Sequence, residues 1–193
     1  MITLIPAASF TEVPWKNGRG ITHDVLVEPA DAGYDASRLR VSIAPITAEG
    51  PFSSLPGIER TITLLETNPL VLLFDDGEVL TLAPFVPATF DSVLAPMSRL
   101  PAGPTRVINV MAKRDALTAA VDILAGPGPH EVELRPAERA LLYAAQGEWT
   151  LEADGETQAV ASGAACLVDG ASRLGLTGAA GARMLVARLR NAG

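Results

Sequence analysis

The densest run of groups able to hold a ligand is Pro14-Trp15-Lys16-Asn17-Gly18-Arg19-Gly20, followed at once by Thr22-His23-Asp24. Trp supplies a flat apolar wall with one donor, Asn both a donor and an acceptor, Lys and Arg positive charge, and the glycines allow close backbone approach. Such a set suits a small carboxylate or amide. The same residues also read as a tight turn, in which Asn-Gly bends the chain and Trp anchors it in the core. Farther on, Arg60 opens a β-type run after Pro56-Gly57-Ile58-Glu59, and Asn109 sits inside the apolar run Val107-Ile108-Asn109-Val110-Met111. On a strand Asn109 and Met111 share one face, opposite Ile108 and Val110. A buried amide there is costly unless hydrogen-bonded. Asn109 therefore either braces a loop or presents its amide to a ligand.

Other chemistries find less support. His23 and His130 are the two histidines of the chain, whereas a barrel metal centre needs several histidines and a carboxylate pointing inward. The expectation is no metal and no cofactor. His23 and Asp24 are neighbours, but adjacent strand residues point to opposite faces and do not orient one another, so both histidines read as surface or structural. Cys166, the single cysteine, has small and apolar neighbours and no activating base or cation nearby, so it reads as a packing thiol. No phosphate loop, nucleophile elbow or zinc spacing is present. The net charge of −7 comes without any basic run, which argues against nucleic-acid binding by bulk electrostatics.

The elements that must position these groups are strands. Hydrophobic residues make up 48% of the 193 and charged residues 19%, a balance that favours a packed core over disorder. Apolar stretches such as Leu70–Phe74 are far shorter than the roughly 20 residues a spanning helix needs. Met1–Pro6 lacks a basic region followed by an apolar run. The expectation is therefore a cytoplasmic protein with no membrane span. β-type runs recur between Gly and Pro turn signals, beginning with Ile21–Glu28 and Leu39–Ile46 and ending with Leu174–Thr177 and Arg183–Leu189. In Leu39-Arg40-Val41-Ser42-Ile43 the apolar residues fall on one face and the polar ones on the other. Asp76-Gly77 and Asp154-Gly155 are hairpin signals. Ala112–Ala120 reads as at most one turn of helix, and no sustained three-and-four spacing supports a longer one.

The second half repeats the plan of the first. Asp76-Gly77-Glu78-Val79-Leu80-Thr81-Leu82-Ala83 parallels Asp154-Gly155-Glu156-Thr157-Gln158-Ala159-Val160-Ala161, and Asp91 parallels Asp169 at the same spacing of 78 residues. Two copies of one β unit follow, with Gly126-Pro127-Gly128-Pro129 as the linker. The expected division is residues 1–125, carrying the ligand pocket, and residues 126–193, a structural barrel filled by small residues such as Ala161-Ser162-Gly163-Ala164-Ala165. The two are expected to pack together, with strands exchanged between them.

Three segments carry a resemblance to a known family. Pro14-Trp15-Lys16-Asn17-Gly18-Arg19-Gly20-Ile21-Thr22, Phe52-Ser53-Ser54-Leu55-Pro56-Gly57-Ile58-Glu59-Arg60, and Gly103-Pro104 followed by Asn109-Val110-Met111 and Arg114 resemble the signatures of the HutD/Ves family. The chain departs from them in Arg19, in His23-Asp24 and in Val107. The resemblance implies an all-β bicupin, a double-stranded β-helix repeated twice as two jelly-roll-like barrels. It also implies that Trp15, Asn17, Arg60, Asn109 and Met111 line or support the first barrel's pocket. The family's association with histidine-utilisation operons points to a small-metabolite-binding or regulatory protein, with a formyl or formimino derivative of glutamate as a fitting ligand. In that expectation Arg60 pairs with a carboxylate, Asn17 and Asn109 bond an amide or imine, and Trp15 forms a wall. The alternatives are a metal-independent cupin enzyme acting on a small amide or formimino acid, for which no general base stands out, and a protein-binding scaffold. A homodimer would account for the high apolar fraction.

Overall fold

The computed structural model describes the chain apart from residues 16, 17, 19, 172 and 193. Its strands in chain order are β1 (Ile2–Ile5), β2 (Thr11–Pro14), β3 (Ile21–Glu28), β4 (Leu39–Ile46), β5 (Gly50–Pro51), β6 (Ile58–Leu64), β7 (Leu70–Leu73), β8 (Val79–Leu82), β9 (Ala88–Asp91), β10 (Met97–Arg99) and β11 (Thr105–Lys113). They continue with β12 (Leu117–Ala125), β13 (His130–Glu133), β14 (Glu138–Gln146), β15 (Trp149–Ala153), β16 (Glu156–Val160), β17 (Ala165–Val168), β18 (Arg173–Gly178) and β19 (Arg183–Asn191). Helical structure among the described residues is confined to two 3₁₀ turns, Ala7–Ser9 and Ser92–Leu94. None of it is long and apolar enough to cross a membrane.

The chain divides into two compact units, Thr11–Leu117 and Met1–Phe10 together with Thr118–Gly193. In the first, a six-stranded sheet runs β2-β3-β4-β11-β6-β9 and a four-stranded sheet runs β5-β10-β7-β8. In the second, a five-stranded sheet runs β1-β17-β14-β19-β12 and a four-stranded sheet runs β13-β18-β15-β16. Substituting β4 through β11 by β12 through β19, in order, turns one arrangement into the other. Each unit is thus an eight-stranded jelly roll, and the fold is the double-stranded β-helix repeated twice. The additions differ: β2 and β3 extend the first sheet beside β4, and β1 extends the second beside β17.

This division differs from a boundary at residue 125. β12 is the opening strand of the second roll and lies beside β19, so the units part at Leu117, not at the Gly126–Pro129 linker. The N-terminal strand β1 also belongs to the second unit, where Ile2–Ile5 pair with Val168–Ala165. The turn at Arg114–Ala116 is where one turn of helix was admitted; Ala116 N–H donates to Lys113 O at 2.9 Å and the chain re-enters a strand at once. Asp154-Gly155 is a two-residue turn with φ of 50° and 79°, the doubly positive combination that matches strand twist. Asp76-Gly77 sits in a longer loop, in which Asp76 Oδ1 accepts from the Glu78 N–H at 3.0 Å.

The two interiors differ in kind. The second unit is filled by Leu142, Trp149, Leu151, Cys166, Leu174, Leu176, Met184 and Val186, all essentially inaccessible. The first is apolar only toward one end, where Ile62, Leu64, Leu70, Leu72 and Val107 pack. Its other end carries polar side chains that point inward.

Candidate functional site

The strand register of the six-stranded sheet shows how the polar groups gather. Asn109 on β11 lies opposite Ser42 on β4 and Ile62 on β6, and Ser42 lies opposite Asp24 on β3. In the next row inward-facing Met111 lies between Arg40 on β4 and Arg60 on β6, and Arg60 lies opposite Phe90 on β9. Because strand side chains repeat every two residues, these two rows share the barrel-facing side. Arg40, Ser42, Arg60 and Asn109 are all buried there.

A cavity of about 50 Å³ opens over this patch, lined by Trp15, Tyr34, Ser42, Phe52, Arg60 and Asn109, with Met111 and Thr22 among its other walls. At roughly 10–15 Å³ per water, it has room for a few waters or the head of a small ligand. Of the five expected site residues, Trp15, Arg60, Asn109 and Met111 therefore line one cavity, and Asn17 lies outside the described residues.

Arg60 is the most unusual group in it. The residue is 6% exposed. Its Nε and Nη2 donate to Ser92 Oγ at 3.2 and 3.0 Å, and its guanidinium lies 5.3 Å from the Phe52 ring centre and 5.9 Å from that of Phe90. No carboxylate of the described residues forms an ion pair with it. Burial pulls the guanidinium down to about 10, which leaves it cationic at neutral pH. Asn109 is 4% exposed, and its Oδ1 is buried with no hydrogen-bond partner among the described residues. An unpaired buried acceptor costs about 1–3 kcal/mol.

The second arginine is treated differently. Arg40 is paired with Asp24, both nearly inaccessible, donates from Nη2 to Ala32 O at 2.5 Å, and lies 4.3 Å from the Tyr34 ring centre. Burial lifts the Asp24 carboxyl above its ordinary range, and Arg40 opposes the rise. Burial also raises the Tyr34 phenol, with Arg40 and Arg60 acting the other way. Arg40 is thus paired with an acid inside the protein, whereas Arg60 has no carboxylate partner among the described residues.

Trp15 belongs to the turn that joins β2 to β3. Its N–H donates to Gly20 O at 2.9 Å, and Gly18 N–H donates to Trp15 O at 2.9 Å. Gly20 lies against the indole so closely that a Cβ there would be 2.9 Å from the ring. Trp15 thus takes part in this turn and in the wall of the cavity. His23 makes no hydrogen bond to Asp24, while His130 Nε2 lies 3.0 Å from Ala125 O. Cys166 is buried and its thiol is pushed up to about 11 by desolvation, a protonated packing group. Among the described residues no three His, Cys, Asp or Glu side chains come together as a metal would require.

Sequence reasoning missed Tyr34, Ser42, Arg40, Phe52 and Ser92. For Arg40 and Ser42 the signal was present: the alternation of Leu39–Ile43 identified a polar face. That face points into the barrel, and both faces of β4 are buried. Phe52 opens the segment whose resemblance to the family runs from it to Arg60, and it was not counted among the pocket residues. Nothing local marks Tyr34 or Ser92, which reach the site by long-range folding.

The HutD family model matches residues 7–186. A curated relative, an uncharacterised 21.2 kDa protein of the hutC 3′ region of Pseudomonas putida, is 32% identical over 110 residues, which is 57% of this chain and 57% of that relative's length. The structure of HutD from Pseudomonas fluorescens SBW25, in a formate condition, superposes with a TM-score of 0.82 at 27% identity over 100% of both chains. A conserved protein of unknown function from Pseudomonas aeruginosa PAO1 superposes with a TM-score of 0.90 at 24% identity, covering 98% of this chain and 99% of that one. YhhW from Escherichia coli shares the fold, with a TM-score of 0.69 at 9% identity over 97% of each chain.

Proposed function

The chain belongs to the HutD family, and on that footing we propose that it binds a small carboxylate-bearing metabolite in the cavity of its Thr11–Leu117 unit. The observation that carries this is Arg60: a buried guanidinium beside a cavity, with one hydroxyl as its polar partner and no carboxylate among the described residues. A buried charge without a counter-ion is expensive, and a planar guanidinium matches a carboxylate in geometry. Asn109, whose buried oxygen has no hydrogen-bond partner among the described residues, takes an amide or imine N–H of the same ligand. Trp15 and Phe52 close the sides.

A formyl or formimino derivative of glutamate has the required groups, and the hutC neighbourhood of the Pseudomonas putida relative supports a link to histidine utilisation. In this reading the protein is a cytoplasmic sensor or regulator whose occupancy follows the level of a pathway intermediate. Calorimetric titration with N-formylglutamate and N-formiminoglutamate tests it. Binding is expected in the wild type and is expected to fall about ten- to a hundredfold in Arg60→Ala, the range for hydrogen bonds to a charged group. Equal affinity in the two proteins would remove Arg60 from the site and the proposal with it.

A further inference from the structure

A second, larger hollow adjoins the Arg60 cavity. It measures about 330 Å³ and is lined by Ala48, Glu49, Gly50, Pro51 and Ser98 together with Trp15, Ile46 and Phe52. The last three also line the inner cavity, so the two hollows share a wall of two aromatic rings and one aliphatic chain. Phe52 links them directly: its ring centre lies 5.3 Å from the Arg60 guanidinium, and the residue also borders the outer hollow.

The outer hollow is chemically unlike the inner one. Its polar groups are already engaged. Ser98 Oγ donates to Gly50 O at 2.8 Å and accepts from Gly50 N–H at 3.1 Å. Glu49 accepts from Arg99 Nη1 and from the Leu100 N–H, both at 2.9 Å. Glu49 is held by these bonds yet stays about half exposed as a carboxylate. The rest of the lining is largely apolar surface from Trp15, Ile46, Phe52, Pro51 and Ala48, with no cation among those residues.

We propose that the site is two-chambered and takes an amphiphilic carboxylate: the head group on Arg60 in the inner cavity, and an apolar or aromatic tail lying past Trp15 and Phe52 in the outer hollow. This rests on the Arg60 pairing above and departs from a glutamate derivative at the far end, where a second carboxylate would meet Glu49 and apolar walls. An inner cavity of about 50 Å³ holds the head of a small ligand, so a longer one extends beyond it along the shared aromatic wall. Burial of one methylene is worth about fourfold in affinity.

The test is a titration series of straight-chain carboxylates, formate, acetate, butyrate and hexanoate, with 6-aminohexanoate as a tail-polarity control, in the full-length protein. Affinity is expected to rise by up to about fourfold per methylene from acetate to hexanoate, and 6-aminohexanoate is expected to bind more weakly than hexanoate. Trp15 reports the location: hexanoate is expected to shift its emission toward the blue, and the shift is expected to vanish in Trp15→Phe, which leaves Trp149 as a silent reference. Hexanoate binding no tighter than acetate, or tighter binding with no response from Trp15, would overturn the two-chamber site while leaving the Arg60 site standing. If no carboxylate of the series binds, formate and acetate included, the Arg60 reading falls and the outer chamber falls with it.

Discussion

Arg60 carries its charge in a place where the described residues supply one hydroxyl and two aromatic rings to hold it. The apo protein bears the cost of that arrangement. Replacing buried charged groups by apolar residues of similar volume is often neutral or stabilising by about 1–4 kcal/mol. Arg60→Met is therefore expected to leave the ligand-free protein as stable as the wild type, or more stable by about 1–3 kcal/mol, in urea denaturation, while removing carboxylate binding. A loss of stability would mean that Arg60 is a structural residue held by Ser92. Asn109 allows a complementary experiment. It lies diagonally across the register from Arg60, since Met111 is opposite Arg60 and Asn109 is two residues back on the same face. Asn109→Asp places a carboxylate within reach of the guanidinium and offers the counter-ion internally. The melting temperature of the free protein is expected to rise and the affinity for external carboxylates to fall at least about tenfold. Unchanged affinity would show that Arg60 is not the anion's partner. Asn109 stood out in the sequence because a polar residue in an apolar run needs a reason, and Arg60 stood out at the opening of a β-type run and through the family resemblance. Ser92 and Tyr34 did not, because nothing in their own segments announces a partner that lies far away in the chain.

Each unit sets a tryptophan against a glycine, with different consequences. In the second unit Gly178 on β18 lies opposite Trp149 on β15, and a Cβ on Gly178 would come within 2.8 Å of the indole. Trp149 is 2% exposed at the centre of a packed barrel, where overpacking costs about 1–3 kcal/mol. Gly178→Ala is expected to lose stability by that amount with little effect on ligand affinity. In the first unit Gly20 touches Trp15, which is half-buried and walls the cavity. The indole there is only half-buried, so Gly20→Ala is expected to displace it at little cost in stability and to weaken binding. Paired denaturation and titration of the two variants checks both halves, and the opposite pattern would place the functional cavity in the wrong unit. At this scale many strands were legible from alternation and turns, with the bounds of β3, β4 and β8 read as they stand. The strands β5, β9, β10 and β13 were not. Each runs two to four residues with at most two apolar ones, too few for a hydrophobic pattern to stand out.

At the scale of the whole molecule, one eight-strand plan occurs twice with opposite interiors. By register, Ala140 and Val168 stand where Arg60 and Phe90 do, and Leu142 and Val186 where Ile62 and Asn109 do. The Asp-Gly repeat at a spacing of 78 made the duplication visible in the sequence. The boundary was not visible, because β11 and β12 are joined by a three-residue turn with no linker composition, and the Gly-Pro segment lies inside the second unit after its first strand. Where the first barrel carries the polar pair Arg60 and Asn109 beside a cavity, the second is packed with apolar side chains, in keeping with the ligand site proposed for the first. Leu142→Ala separates these roles. Leu142 is fully buried, and truncating such a leucine costs about 2–5 kcal/mol. Denaturation is expected to show that loss, while carboxylate affinity, measured well below the melting temperature, is expected to stay within about twofold of the wild type because no residue lining the Arg60 cavity lies in that unit. A large fall in the affinity of folded Leu142→Ala protein would instead show that the second barrel shapes the site it does not line.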